Sequence, residues 1–120
     1  MTDSPKRLGA IVATALTTTS SGAEASGQLL YTVPGSTSTI VSTLFVCNGG
    51  TISSTFSIWH VQNGGVNDVT QIDRLYKDVV IQGSDTFATT SGISMEAGDS
   101  LVVYGASTNI NFIAEGIEIT

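Results

Sequence analysis

One histidine, one cysteine and ten carboxylates are the groups in this 120-residue chain best suited to carry chemistry. Nucleophilic hydrolysis needs a base beside a serine or cysteine and a third group to orient that base. His60 is the sole histidine, and the local alternation sets it on the parity of Phe56 and Ile58, the place of a core or interface residue rather than of a general base. Cys47 follows Val46 on an apolar run and reads as a small packing residue. Being alone, it makes no intramolecular disulfide and no cysteine-rich zinc site. Asp68, Asp73, Asp78, Asp85, Glu96 and Asp99 could pair for glycoside hydrolysis or offer oxygens to calcium, with Asn63 to Asp73 the best-supplied segment. Each of these acids lies in or beside a turn, and the regular Asp/Asn spacing of a calcium loop is missing. Neither a GxxxxGK phosphate loop nor a strand-then-helix glycine fingerprint occurs. The expectation is therefore a chain with no catalytic residues, no cofactor and no bound metal.

Trp59, Tyr31, Tyr76 and Tyr104 are the large amphipathic side chains. Such residues pack in cores, anchor protein contacts or stack on sugars. Trp59 shares its strand parity with Thr55 and Ser57, the more polar face, and is the first candidate for an interface or ligand contact, with Tyr31 and Tyr76 beside it.

Charge narrows the partners. The formal charge is −6, only 12% of residues are charged, and residues 8 to 120 hold nine acids and two bases, Arg74 and Lys77. A typical soluble domain has about twice that charged fraction. Phosphate neutralisation needs clustered Lys and Arg, so no nucleic-acid partner is expected. No apolar run approaches the roughly 20 residues of a membrane span, and anionic lipid has nothing basic to meet. Lys6 and Arg7 before the apolar run Leu8 to Leu16, with Ala23-Glu24-Ala25 downstream, imitate a secretory signal. Asp3 in the would-be positive region and the long polar stretch from Thr17 to Gly22 argue against that reading.

Extended segments must position whatever these residues do. Leu8 to Leu16, small in its residues, fits a strand or a short helix, with strand the preferred reading, and a Ser/Thr/Gly connector follows to Gly27. Gln28 to Val33 ends at the turn pair Pro34-Gly35. Ser38 to Cys47 is apolar on both parities (Ile40, Ser42, Leu44 and Val46 against Val41, Thr43, Phe45 and Cys47) and predicts a central strand covered on both sides. Asn48-Gly49-Gly50 predicts a hairpin into Ser53 to Gln62, which a second Asn-Gly-Gly at Asn63 closes. Leu75 to Ile81, Ser84 to Thr90, Gly92 to Met95, Leu101 to Tyr104 and Ile110 to Ile119 are further extended pieces. Seven to nine short strands with turn signals every 8 to 12 residues and no amphipathic helix imply an all-β chain. The expected fold is a single antiparallel β-sandwich, jelly-roll-like, over residues 28–120, with residues 1–27 an extended N-terminal arm contacting neighbours.

The stretches Leu30-Tyr31-Thr32-Val33-Pro34-Gly35-Ser36-Thr37 and Ile40 to Asn48, with Asp85-Thr86-Phe87, Ala97-Gly98-Asp99-Ser100-Leu101 and Gly116-Ile117-Glu118-Ile119, resemble small β-sandwich virion structural proteins of tailed bacteriophages. These are strand and turn motifs, so no functional residue comes with them. The resemblance implies a non-enzymatic virion protein that decorates or cements a capsid, built of copies of itself as a trimer and contacting the major capsid protein. Its alternative is a tail or fibre component with a receptor- or glycan-binding role.

Overall fold

The computed structural model describes residues 3–12, 27–69 and 71–120. Eight strands account for most of them: β1 (Asp3–Val12), β2 (Gln28–Thr32), β3 (Ser38–Asn48), β4 (Ser54–Val61), β5 (Arg74–Ile81), β6 (Thr86–Met95), β7 (Ser100–Gly105) and β8 (Ile110–Ile119). Single 3-10 turns at Val66–Asp68 and Gln71–Asp73 interrupt the β4–β5 connection. The strands form two four-stranded sheets in the orders β1-β8-β3-β6 and β2-β7-β4-β5, and every pairing is antiparallel. Each successive connection except β4–β5 carries the chain from one sheet to the other. That wrapping, with two four-stranded sheets face to face, is the jelly roll.

Period-two apolar patterning drives the packing. In β8, Ile110, Phe112 and Ala114 are buried and face the opposite sheet, while Asn111, Ile113 and Glu115 turn outward. In β4 and β7, Phe56, Ile58, Leu101 and Val103 do the same from the other side. Phe56 lies at the centre of an aromatic group joining the sheets, with ring centroids 5.1 Å from Phe87, 6.3 Å from Phe112 and 6.4 Å from Tyr76. Each tilted pair adds about 0.5 to 1.5 kcal/mol beyond the area it buries.

Three expectations change. First, β3 does not keep one parity. The register slips between Val41 and Thr43 against both neighbouring strands, so Thr39 and Val41 face inward before the slip and Leu44, Val46 and Asn48 after it. Its other face is not covered: Ile40 is 40% exposed, and Phe45 and Cys47 are half-buried. Second, Asn48-Gly49-Gly50 makes no hairpin, because β3 and β4 belong to different sheets. The Asn48 side chain instead bridges the crossover, donating to the carbonyls of Ile52 (2.9 Å) and Ile81 (3.2 Å) and accepting from the Gly50 amide. Among the described strands only β4 and β5 form a hairpin, and it is there that Asn63 takes the left-handed φ of 49°.

Third, the N-terminal segment is part of the sandwich over residues 3–12. β1 pairs with β8 of its own chain, Leu8 and Ile11 pack against the core, and a Cβ on Gly9 would collide with the Leu30 carbonyl of β2. Residues 13–26, the remainder of the expected arm apart from Met1, Thr2 and Gly27, lie outside the described residues.

Candidate functional site

His60 sits at the end of β4, on the inward parity expected for it, and meets a carboxylate. Its Nε2–H donates to Asp99 Oδ2 at 3.1 Å. The same carboxylate accepts the amides of Asn63 (2.9 Å) and Glu96 (3.0 Å), while the Asp99 backbone carbonyl accepts the Val33 amide. Burial opposes the charge on Asp99, but the two amides and His60 together hold its carboxyl below the usual carboxylate range. Three loops, from β2–β3, β4–β5 and β6–β7, are tied to one residue here. No serine or cysteine hydroxyl or thiol is bonded to His60 among the described residues, and the arrangement is that of a loop clasp.

The remaining acids stay apart. Among the described residues no three His, Cys, Asp or Glu side chains gather to hold a metal ion. Asp85 binds the Thr86 amide, Asp68 binds the Gly65 amide, and Asp78 carries a positive φ of 51° at a bulge where its amide meets Ser57 Oγ. Cys47 is a half-buried free thiol on β3. Among the described residues no helix is long and apolar enough to cross a membrane.

The three aromatic candidates fare differently from what their parity implied. Trp59 does lie on the opposite parity from Phe56 and Ile58, but it is 0% exposed. That outward face of the β2-β7-β4-β5 sheet carries a second small core of Trp59, Val61, Val69 and Val102, onto which the β4–β5 loop folds Val66 and Val69. A surface contact through Trp59 is thus ruled out by packing. Tyr31 is also buried, 8% exposed, and points inward. Its hydroxyl donates to Glu118 Oε2 at 2.5 Å and lies 2.8 Å from Thr39 Oγ1, and Lys6 Nζ closes on the other Glu118 oxygen at 2.6 Å. Burial and the Glu118 bond push the Tyr31 hydroxyl up to about 12, and the bonds from Lys6 and Tyr31 hold Glu118 below its ordinary value. Tyr76 is half-buried on β5, its ring edge-on to Phe87 of β6 at 5.3 Å and its hydroxyl donating to Thr89. Of the three it alone is part-exposed.

The surface left unexplained is the outward face of β1-β8-β3-β6. Cross-strand register lines up Ala10, Ile113, Phe45 and Ala88 in one row and Pro5, Ile117, Ile40 and Ser94 in another. Between them runs the row Arg7, Glu115, Thr43 and Thr90, which holds the only charges of the three. An antiparallel sheet with one face on the core normally turns polar residues to water on the other. Here two of three rows are mainly apolar and part-exposed, and grooves run beside Pro5, Ile117 and Ser42 and beside Ala10 and Ile113. The faces of β8 and β3 were legible as apolar on both parities. What no local signal revealed was that strands from four distant parts of the chain place those residues in register.

No family model matches this chain, nor does any curated protein or solved structure. The fold and this face are what the molecule itself offers to a functional reading.

Proposed function

We propose that this chain is a non-enzymatic structural protein of a phage virion, a decoration or cement subunit that stabilises the particle by laying the outward face of its β1-β8-β3-β6 sheet on a neighbouring virion protein such as the major capsid protein. The observation that carries the reading is the pair of apolar rows on that face, Ala10–Ile113–Phe45–Ala88 and Pro5–Ile117–Ile40–Ser94, separated by a single Arg7–Glu115 row. Contiguous exposed apolar surface on a small protein marks an interaction site, and a four-stranded sheet face suits a broad, static contact. The resemblance of the Leu30–Thr37 and Ile40–Asn48 motifs to phage virion proteins supplies the particle.

The N-terminal strand fits it too. Exchange of β1 between neighbours would keep the β1–β8 register and the Lys6–Glu118 pair, and the fifteen residues between Val12 and Gln28 reach about 50 Å at full extension. The glycan-binding alternative loses its aromatic platform, because the Trp59 indole has no exposed face.

Phe45→Glu and Ile117→Glu test the face. Both side chains point away from the core, so each variant is expected to fold, yet to lose retention on particles lacking the native subunit, measured by co-sedimentation and by the particles' resistance to heat. Retention of both variants at the wild-type level would refute this face as the contact.

A further inference from the structure

The sandwich has four sheet edges, and three carry devices against strand addition. β1 presents Pro5, Lys6 and Arg7 and is bulged after Arg7; β2 is five residues long and bulged; β5 carries Arg74, Lys77 and Asp78 with a bulge at the positive-φ Asp78. Charge, proline, bulges and brevity are the means by which edges are kept from pairing. β6 differs. Its ten residues, Thr86 to Met95, contain no charge and no proline, and its one irregularity lies at residues 91–92, opposite Ser42. Thr86 to Thr90 is therefore a regular, uncharged edge rich in strand-favouring residues. Among the described residues, the sheet pairs β6 with β3 alone.

We propose that this edge is a self-association surface, on which β6 of a second copy pairs antiparallel about a two-fold axis through Ala88. Charge selects the occupant's geometry. Each copy carries a net −6, so two copies repel unless they meet where acids are absent. In the Ala88-centred register, Phe87 of each copy faces Thr89 of the other and Thr86 faces Thr90. These are the aromatic-to-β-branched and Thr–Thr pairs that stabilise antiparallel strands. The nearest acid, Asp85, is already engaged with the Thr86 amide, and its two copies fall about 20 Å apart, six residues of strand rise. The bulge at 91–92 ends the contact on each side.

The axis stands perpendicular to the sheet, so both apolar faces remain on one side. The dimer then presents a continuous eight-stranded surface, β1-β8-β3-β6 joined to its two-fold image, twice the area that one subunit could lay on a partner. The inference is independent of the virion reading, because free subunit in solution tests it.

Sedimentation equilibrium of the purified chain from micromolar to millimolar concentration should give a monomer–dimer equilibrium. Ala88→Lys sets two ammonium groups opposite each other and should weaken dimerisation about tenfold or more. Ala88→Glu should weaken it similarly, and an equimolar mixture of the two variants should recover the dimer. Ala88 is exposed, so circular dichroism and the melting temperature should stay at wild-type values; if either variant misfolds, the double variants Thr86→Lys/Thr90→Lys and Thr86→Glu/Thr90→Glu, whose charges face each other between the copies, take their place. A wild-type monomer at every concentration overturns the proposal, as does a trimer, or a dimer indifferent to both charges.

Discussion

Trp59 Nε1 is the one buried side-chain donor without an acceptor among the described residues, and this sets up two opposed terms. An unsatisfied buried N–H costs about 1 to 3 kcal/mol, whereas the indole ring fills the second core between Val61, Val69 and Val102. Trp59→Phe keeps most of the ring and removes the orphan donor, so its unfolding free energy should lie within about 1 kcal/mol of wild type. Trp59→Ala deletes the ring and should cost about 3 to 5 kcal/mol. Urea titrations of the two variants decide the matter, and equal losses would mean that the indole N–H has a partner. The residue scale is also where sequence reasoning reached least far. The alternation in β4 correctly put Trp59 on the opposite side from Phe56, but not that a loop beginning at Gln62 folds back to bury it. Nothing local in Tyr31, Lys6 and Glu118 announces their convergence, since 87 residues separate the tyrosine from the glutamate.

Elements were more legible, because period two is a strong signal when one face is buried. β8 runs from Ile110 to Ile119 as its alternation predicts, and β5 and β7 fall within a residue or so of their expected limits. The phase of β3 was not legible, since a bulge at Ser42 flips every later side chain and leaves no mark in composition. Nor do Asn-Gly-Gly signals distinguish a hairpin from a crossover; both need a turn. β1 illustrates how an element is then locked by distant side chains. Glu118 holds Lys6 of β1, Tyr31 of β2 and, through Tyr31, Thr39 of β3. Its folded pKa is depressed, so the stabilisation is present above the unfolded value, near 4.3, and is lost as pH falls through the lower folded value. Tyr31 works in the opposite sense: its raised value means stability intact below pH 10 and lost toward about 12. Amide exchange protection of residues 3–12 should accordingly hold from pH 5 to 9 and drop below about pH 4. In Glu118→Gln it should be low already at neutral pH. Unchanged protection in acid would show that pairing with β8 alone retains the strand.

At the scale of the whole molecule, charge and apolar surface are segregated. Five of the nine acids among the described residues lie in loops, at Asp68, Asp73, Asp85, Glu96 and Asp99, while the outward face of β1-β8-β3-β6 balances Arg7 against Glu115 and the β6 edge carries nothing. A molecule arranged this way should associate against its own net charge rather than through it. Screening therefore helps. The Debye length falls from about 30 Å at 0.01 M salt to about 10 Å at 0.1 M and 3 Å at 1 M. Between the first two conditions the repulsion of two −6 bodies should collapse while uncharged strand pairing and apolar contact stay untouched. Self-association followed by light scattering across that range should strengthen several-fold and then level off. An interface made of ion pairs, for instance Arg74 or Lys77 on the loop acids of a second copy, predicts the reverse slope. Association that weakens steadily with salt would place the contact on the charged β5 side and away from the uncharged surfaces that the jelly-roll register assembles.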